Sequence, residues 1–195
     1  MKKTAYTLLA GLLVMAGLLT QIKAAGQTGT QHSILMDIDL PLGQFSDTHL
    51  GGMGVQYAWS NHRFSKNVSP DKLLGFTTNG GLDYYFGAKE KVAGYDYTYS
   101  NYLSLHTFGG VIYNPAKNSH ITLTAGPTLD IYDGSADAGF GVALAAGYYF
   151  ARNIAISPAL LYMKHANTNA FWVASFRIIY SFNKLSMHQM FGTGK

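Results

Sequence analysis

Polar and apolar positions alternate along most of the chain, and the period is two. In residues 119–132, Ile121, Leu123, Ala125, Pro127, Leu129 and Ile131 fall on one face and Thr122, Thr124, Gly126, Thr128, Asp130 and Tyr132 on the other. Residues 138–150 set Phe140, Val142, Leu144, Ala146, Tyr148 and Phe150 against Gly141, Ala143, Ala145, Gly147 and Tyr149. Residues 170–182 set Trp172, Ala174, Phe176, Ile178, Tyr180 and Phe182 against Val173, Ser175, Arg177 and Ser181. The first segment, from Gln31 or His32 to Leu42, sets Ile34, Met36, Ile38, Leu40 and Leu42 against Ser33, Asp37 and Asp39. Such alternation marks strands with two unlike faces. Four more segments, 50–60, 73–86, 102–114 and 154–163, complete eight predicted strands. Counted from His32 they take up 99 of the 171 residues after Ala24, a share expected only of an all-β barrel or sandwich.

Charge decides which way the faces point. A soluble lipocalin-like barrel turns its apolar face inward and coats the outer one with Lys, Glu and Arg. Arg177 is the only Lys or Arg inside the eight predicted strands. An exterior of Gly, Ala, Ser and Thr would be a poor water-facing surface, so the apolar face belongs against lipid and the small polar face against a narrow lumen. Closure of the sheet then satisfies every backbone hydrogen bond. The expected architecture is an eight-stranded antiparallel up-and-down transmembrane β-barrel over residues 25–182.

Aromatic residues gather where such strands would leave the membrane: Tyr57 and Trp59, Tyr84 and Phe86, Tyr113, Tyr148 and Phe150, Trp172, and Tyr180 with Phe182. Rings at both strand ends match interfacial girdles.

Ahead of the strands, Lys2 and Lys3 precede an apolar run over residues 8–19, and Ile22-Lys23-Ala24 offers a small-residue cleavage site. This is the pattern of a bacterial secretory signal peptide over residues 1–24; its apolar run falls short of the ~20 residues a spanning helix needs. Most of the formal charge of +4 lies in this segment, since Lys2, Lys3 and Lys23 leave with it. No basic patch remains to suggest nucleic acid as a partner. The charged share, 12%, is about half that of a soluble domain, and the absence of Cys excludes thiolate metal sites and a lipid-anchored N-terminal cysteine.

Exported barrels begin and end in the periplasm, which places residues 115–118 and 151–153 in short periplasmic turns and residues 87–101 in a long outer loop. Residues 61–72 are long for a periplasmic turn. Pro127 and Pro158 sit in strands without a free edge, where bulges are expected.

The signal segment, the eight alternating strands and the run Leu40-Pro41-Leu42-Gly43-Gln44-Phe45-Ser46-Asp47-Thr48-His49 followed by Gly51-Gly52-Met53-Gly54 together resemble the small outer-membrane β-barrel family of Bacteroidota-type genomes. The likeness is to the OmpA/OmpX-type eight-stranded architecture over the whole mature chain. It implies a bacterial outer-membrane location, outer-membrane lipid and the barrel-assembly machinery as partners, and a terminal aromatic read by that machinery. Phe182 would be that aromatic, displaced inward by a periplasmic tail over residues 183–195.

Eight strands leave an interior just wide enough for side chains, so no diffusion pore is expected. The luminal candidates are Asp37, Asp39, Gln56, Asn79, Asp83, His106, Thr124, Asp130 and Arg177, with an ion pair between Arg177 and Asp37 or Asp39 across the seam that joins the last strand to the first. Tyr95, Tyr97 and Tyr99 share the parity of Leu103, Leu105 and Val111. They predict a Tyr-faced ribbon continuing that strand above the membrane, suited either to recognising an extracellular protein or surface or to resting its rings on lipid headgroups or in the other loops.

For catalysis, Ser46, Asp47 and His49 in the first loop and His165 in the fourth supply the residue types of a lipid A-modifying barrel enzyme, with no spacing that matches a triad. The seven His show no metal-ligand spacing, and Gly52-Met53-Gly54 and Gly139-Phe140-Gly141 lie in or beside strands rather than opening helices. No catalytic residue, cofactor or metal is assigned. The expected function is an envelope-structural or surface-interaction, adhesion-like role for a single-chain barrel. A lipid A acyltransferase or deacylase and a soluble periplasmic ligand-binding barrel are the alternatives.

Overall fold

The computed structural model describes residues 31–61, 74–92, 94–116, 118–166 and 169–182. The predicted signal segment, nearly all of the 61–72 connection and the 183–195 tail lie outside the described residues.

The chain forms β1 (Gln31–Leu42), α1 (Gln44–Thr48), β2 (His49–Ser60), β3 (Leu74–Gly87), β4 (Lys89–Val92), β5 (Tyr95–Thr98), β6 (Tyr102–Ala116), β7 (Ser119–Tyr132), β8 (Ser135–Tyr149), β9 (Ile154–His165) and β10 (Phe171–Phe182). Eight of the strands close a barrel in the order β1-β10-β9-β8-β7-β6-β3-β2, while β4 and β5 form a separate two-stranded sheet. Neighbours in the barrel are antiparallel throughout, and β10 closes on β1 with Asp37 directly opposite Arg177. The architecture is the predicted eight-stranded up-and-down barrel. One end carries the start of β1 and the finish of β10; the other, the loop end, carries α1 and the β4–β5 hairpin.

The side chains point as the charge argument requires. Ile38 is 67% exposed, Leu50 70% and Phe76 64%, whereas Asp37 and Arg177 are buried at 3% and 4%. A soluble barrel with an apolar cavity would have these directions reversed.

Several local expectations are corrected. Neither proline makes a bulge. Pro127 pairs in register with Phe140, and on its other side the β6–β7 pairing steps from His106↔Thr128 to Gly109↔Ala125 without a shift. Pro158 likewise pairs with Phe176, and the β8–β9 pairing resumes in the same register beyond it. A proline lacks one N–H, so it interrupts the ladder toward one neighbour only, and seven other strands hold the register. The shifts fall instead at His49/Gly51 and between Tyr113 and Ala116, beside Pro115.

β8 starts at Ser135 rather than at 138, because Asp133 (φ 49°) and Gly134 (φ 71°) make a two-residue hairpin turn. Asp-Gly between alternating segments is the usual sequence for a turn with both central residues at positive φ. This connection, at the loop end, is as short as those at the opposite end, so turn length does not by itself orient the barrel. Phe182 is buried rather than part of a girdle: it stacks on His32 with ring centres 5.9 Å apart.

The lumen is filled. Near the loop end Phe45, Tyr85, Tyr102, Phe108, Leu161, Met163, Phe171 and Val173 pack into one cluster; toward the other end Leu35, Ile112, Tyr149 and Ile179 form a second. Small residues on facing strands make the room. A Cβ on Gly141 would lie 2.6 Å from Phe108 Cζ, and one on Gly52 would lie 2.6 Å from Tyr85 Cδ1. With the bore blocked, protein reconstituted into a planar bilayer is expected to give no conductance steps. Steady ohmic openings in recordings of the purified barrel would contradict a closed lumen.

Candidate functional site

Parity alone brings all nine predicted luminal residues inside: Asp37, Asp39, Gln56, Asn79, Asp83, His106, Thr124, Asp130 and Arg177 are each buried. Strand pairing then sorts them into groups. At the seam Arg177 Nε lies 3.4 Å from Asp37 Oδ2. Gln56 donates from Nε2 to the same carboxylate oxygen and accepts from Asn79 Nδ2 at 2.6 Å. A chain of polar groups thus runs across β10, β1, β2 and β3. Asp39, one pleat nearer the loop end, accepts instead from Ser175 Oγ at 2.5 Å. Thr124 lines the small cavity on the far side of Arg177 together with Asn79 and Ser157.

A second group spans β3, β6, β7 and β9. His106 Nδ1 is 3.1 Å from Asp83 Oδ2, and the imidazole stacks on Phe108 at 4.8 Å. His165 Nε2 meets Asp130, and Thr128 Oγ1 lies 3.2 Å from the same nitrogen. Burying a carboxylate is costly unless it is paired or hydrogen-bonded. These imidazoles, hydroxyls and amides meet one oxygen of each carboxylate, with Asp83 facing the His106 ring.

Two histidines differ from their expected places. His165 is the last residue of β9, buried inside the barrel, not a rim residue of the fourth loop; His49 opens β2 and is also buried. Extending the parity of Leu161 and Met163 by one step would have placed His165 in the lumen. Thr128 and Ser175 share that legible signal.

Nothing here forms a nucleophile relay. A relay needs the base to hold the nucleophile with one ring nitrogen and the orienting acid with the other. Thr128 and Asp130 both face His165 Nε2, and Thr128 is wholly buried. Ser46 Oγ is bonded to the Gly43 carbonyl at 2.6 Å, within the turn of α1. Asp47 is exposed on that short helix.

At the loop end, α1 folds Phe45 into the mouth, where its ring stacks on Phe171 at 4.2 Å and meets Tyr85 and Tyr102 edge-on. Gly43, at φ 61°, makes the reversal that a residue with a Cβ would resist.

The tyrosine ribbon is real but is not a continuation of β6. Residues 99–101 break the chain between β5 and β6, and β5 pairs with β4, with Glu90 opposite Tyr97 and Val92 opposite Tyr95. The hairpin is tied to the barrel by Ala88 N–H to the Thr48 carbonyl at 2.8 Å. Tyr95, Tyr97 and Tyr99 share one face, with Tyr95 80% exposed. Tyr97 and Tyr99 meet edge-on at 4.8 Å, and Tyr99 donates to Glu90 Oε2 at 3.1 Å. That bond to a carboxylate holds the Tyr99 phenol protonated above the usual tyrosine range.

No protein-family model and no curated protein sequence matches the chain. Among solved structures, the Yersinia pestis outer membrane protein Ail in a phospholipid bilayer nanodisc is similar at 10% identity and a TM-score of 0.53, covering 79% of this chain and 99% of that one. Ail in complex with the heparin analogue sucrose octasulfate is similar at 8% identity and a TM-score of 0.52, covering 80% of this chain and all of that one. At such identities the likeness concerns architecture: this chain has the eight-stranded barrel fold found in those outer-membrane proteins.

Proposed function

We propose that the protein is a small barrel of the bacterial outer membrane, closed to diffusion, that presents its loop end to the outside as a surface-interaction, adhesion-like element. The Tyr-faced β4–β5 hairpin carries this reading. It pairs with no barrel strand among the described residues and holds two tyrosines in solvent, an arrangement that adds nothing to closing the barrel. Tyrosine offers large, rigid contact area and a hydroxyl at little cost in side-chain entropy, and the open edges of a two-stranded ribbon can accept a further strand.

The membrane part of the reading rests on the apolar belt and its two aromatic rims. Tyr84 with Phe86 and Tyr162 with Trp172 sit toward the loop end, while Tyr113, Tyr148, Phe150 and Tyr180 sit toward the other. The Bacteroidota-type membership is proposed at the level of this architecture and its sequence pattern. The lipid-modifying alternative has less support: neither His49 nor His165 holds a hydroxyl on one ring nitrogen and an acid on the other.

Protein in isolated outer membranes is expected to migrate differently on a gel before and after boiling, because closed lipid-embedded barrels resist cold detergent. A soluble protein with identical mobility in both lanes would overturn the membrane reading. For the surface role, cells producing the Tyr95→Ser/Tyr97→Ser form are expected to show the same heat shift yet attach to matrix-coated surfaces no better than cells lacking the protein. Attachment at the unmodified level would remove the hairpin from the function.

A further inference from the structure

Above the Phe45 cork the loop end holds a recess of about 240 Å³ that neither the barrel nor the hairpin accounts for. Its walls are the rings of Phe45, His49, Tyr102, Tyr132 and Phe171, and Ala170 stands at its rim. The rings are fixed rather than loose. Phe45 and Phe171 stack at 4.2 Å, Tyr102 meets both edge-on, and Tyr132 lies edge-on to His49 at 5.9 Å. No residue lining the recess carries a formal charge, apart from whatever proton His49 takes up.

We infer that this recess is a binding site for a small, uncharged, planar aromatic molecule of one or two fused rings that carries a hydrogen-bonding group. Three observations carry the inference. The lining is mostly ring face and ring edge, which favours another flat ring by offset or edge-on packing. With no fixed countercharge, an ionic ligand would lose its hydration without compensation. The exposed Gln44 and Asn169 side chains, beside the rings, supply the polar points. A pocket walled mostly by rings, with a few polar side chains among them, is the usual form of a small-molecule site. The site goes beyond the surface role and does not depend on it; it requires only that the loop end meet water.

Indole is a suitable probe, titrated against the protein in phospholipid nanodiscs and followed by ligand-observed NMR, with protein-free nanodiscs as the reference for partition into lipid. Saturable binding is expected in the wild type. Ala170→Trp, at an exposed rim position, is expected to fill the recess and weaken binding at least tenfold while the heat shift on gels stays unchanged. Asn169→Leu keeps the bulk but removes a hydrogen-bonding group from the lining, and is expected to weaken indole about fivefold. Indole-3-carboxylate is expected to bind at least tenfold more weakly than indole. The inference is overturned if indole does no more than partition into lipid, or if Ala170→Trp binds it like wild type. It is equally overturned if methyl glucoside saturates the site and indole does not.

Discussion

Arg177→Ala is expected to lower the unfolding free energy of the barrel by about 3–5 kcal/mol, the cost of leaving a buried charge without its partner. The guanidinium and the Asp37 carboxylate face each other across the β1–β10 seam, 5% and 1% exposed. Removing the cation leaves Asp37 with Gln56 as its hydrogen-bond donor, in a lumen already holding Asp39 and Asp83. The seam joins the first strand to the last, so the loss falls where the two ends of the sheet must hold each other. Asp37→Asn in the same chain removes the stranded charge, and the double variant is expected to be more stable than Arg177→Ala alone. Urea unfolding in detergent micelles, followed by tryptophan fluorescence, measures both. If Arg177→Ala unfolds at the wild-type midpoint, the pair does not stabilise the seam.

Phe108→Ala is expected to cost a similar amount, about 3–5 kcal/mol, for a different reason. The ring is 1% exposed, stacks on His106 and occupies the space that Gly141 leaves open on β8. Truncation leaves a cavity between rigid strands that cannot collapse to fill it. Gly141→Leu alone is expected to destabilise by overpacking, since its Cβ would already lie 2.6 Å from Phe108 Cζ. Combined, the two changes return volume to the same place from a strand two positions along the barrel. Their joint cost should therefore fall short of the sum of the single costs by more than about 1 kcal/mol. Strict additivity in the same unfolding assay would show that the two positions do not share one space.

The luminal set was legible because it depends only on parity: once one face is assigned to lipid, every alternate residue from Asp37 to Arg177 follows. His165 and His49 were misplaced because they lie at strand ends, where loop and strand look alike in sequence. The Asp133-Gly134 turn was legible in principle, as a dipeptide that favours positive φ between two alternating runs. The prolines misled, because a missing N–H suggests a bulge when only the neighbouring strands are considered. In a closed sheet a slip of one residue would turn a whole strand inside out, so the register holds and one ladder bond is lost instead.

By itself the sequence determined the barrel, its strand number and which side of each strand faces outward, because those follow from a period of two and from where charge is absent. Only the tertiary structure decided the partners. Asp37 meets Arg177 rather than Asp39 doing so, Phe108 enters the space at Gly141, and Phe45 closes the mouth against Phe171, because these contacts join residues far apart in the chain. Their meeting depends on stagger between strands and on how a short loop folds back, and neither is encoded in the alternation of any single strand.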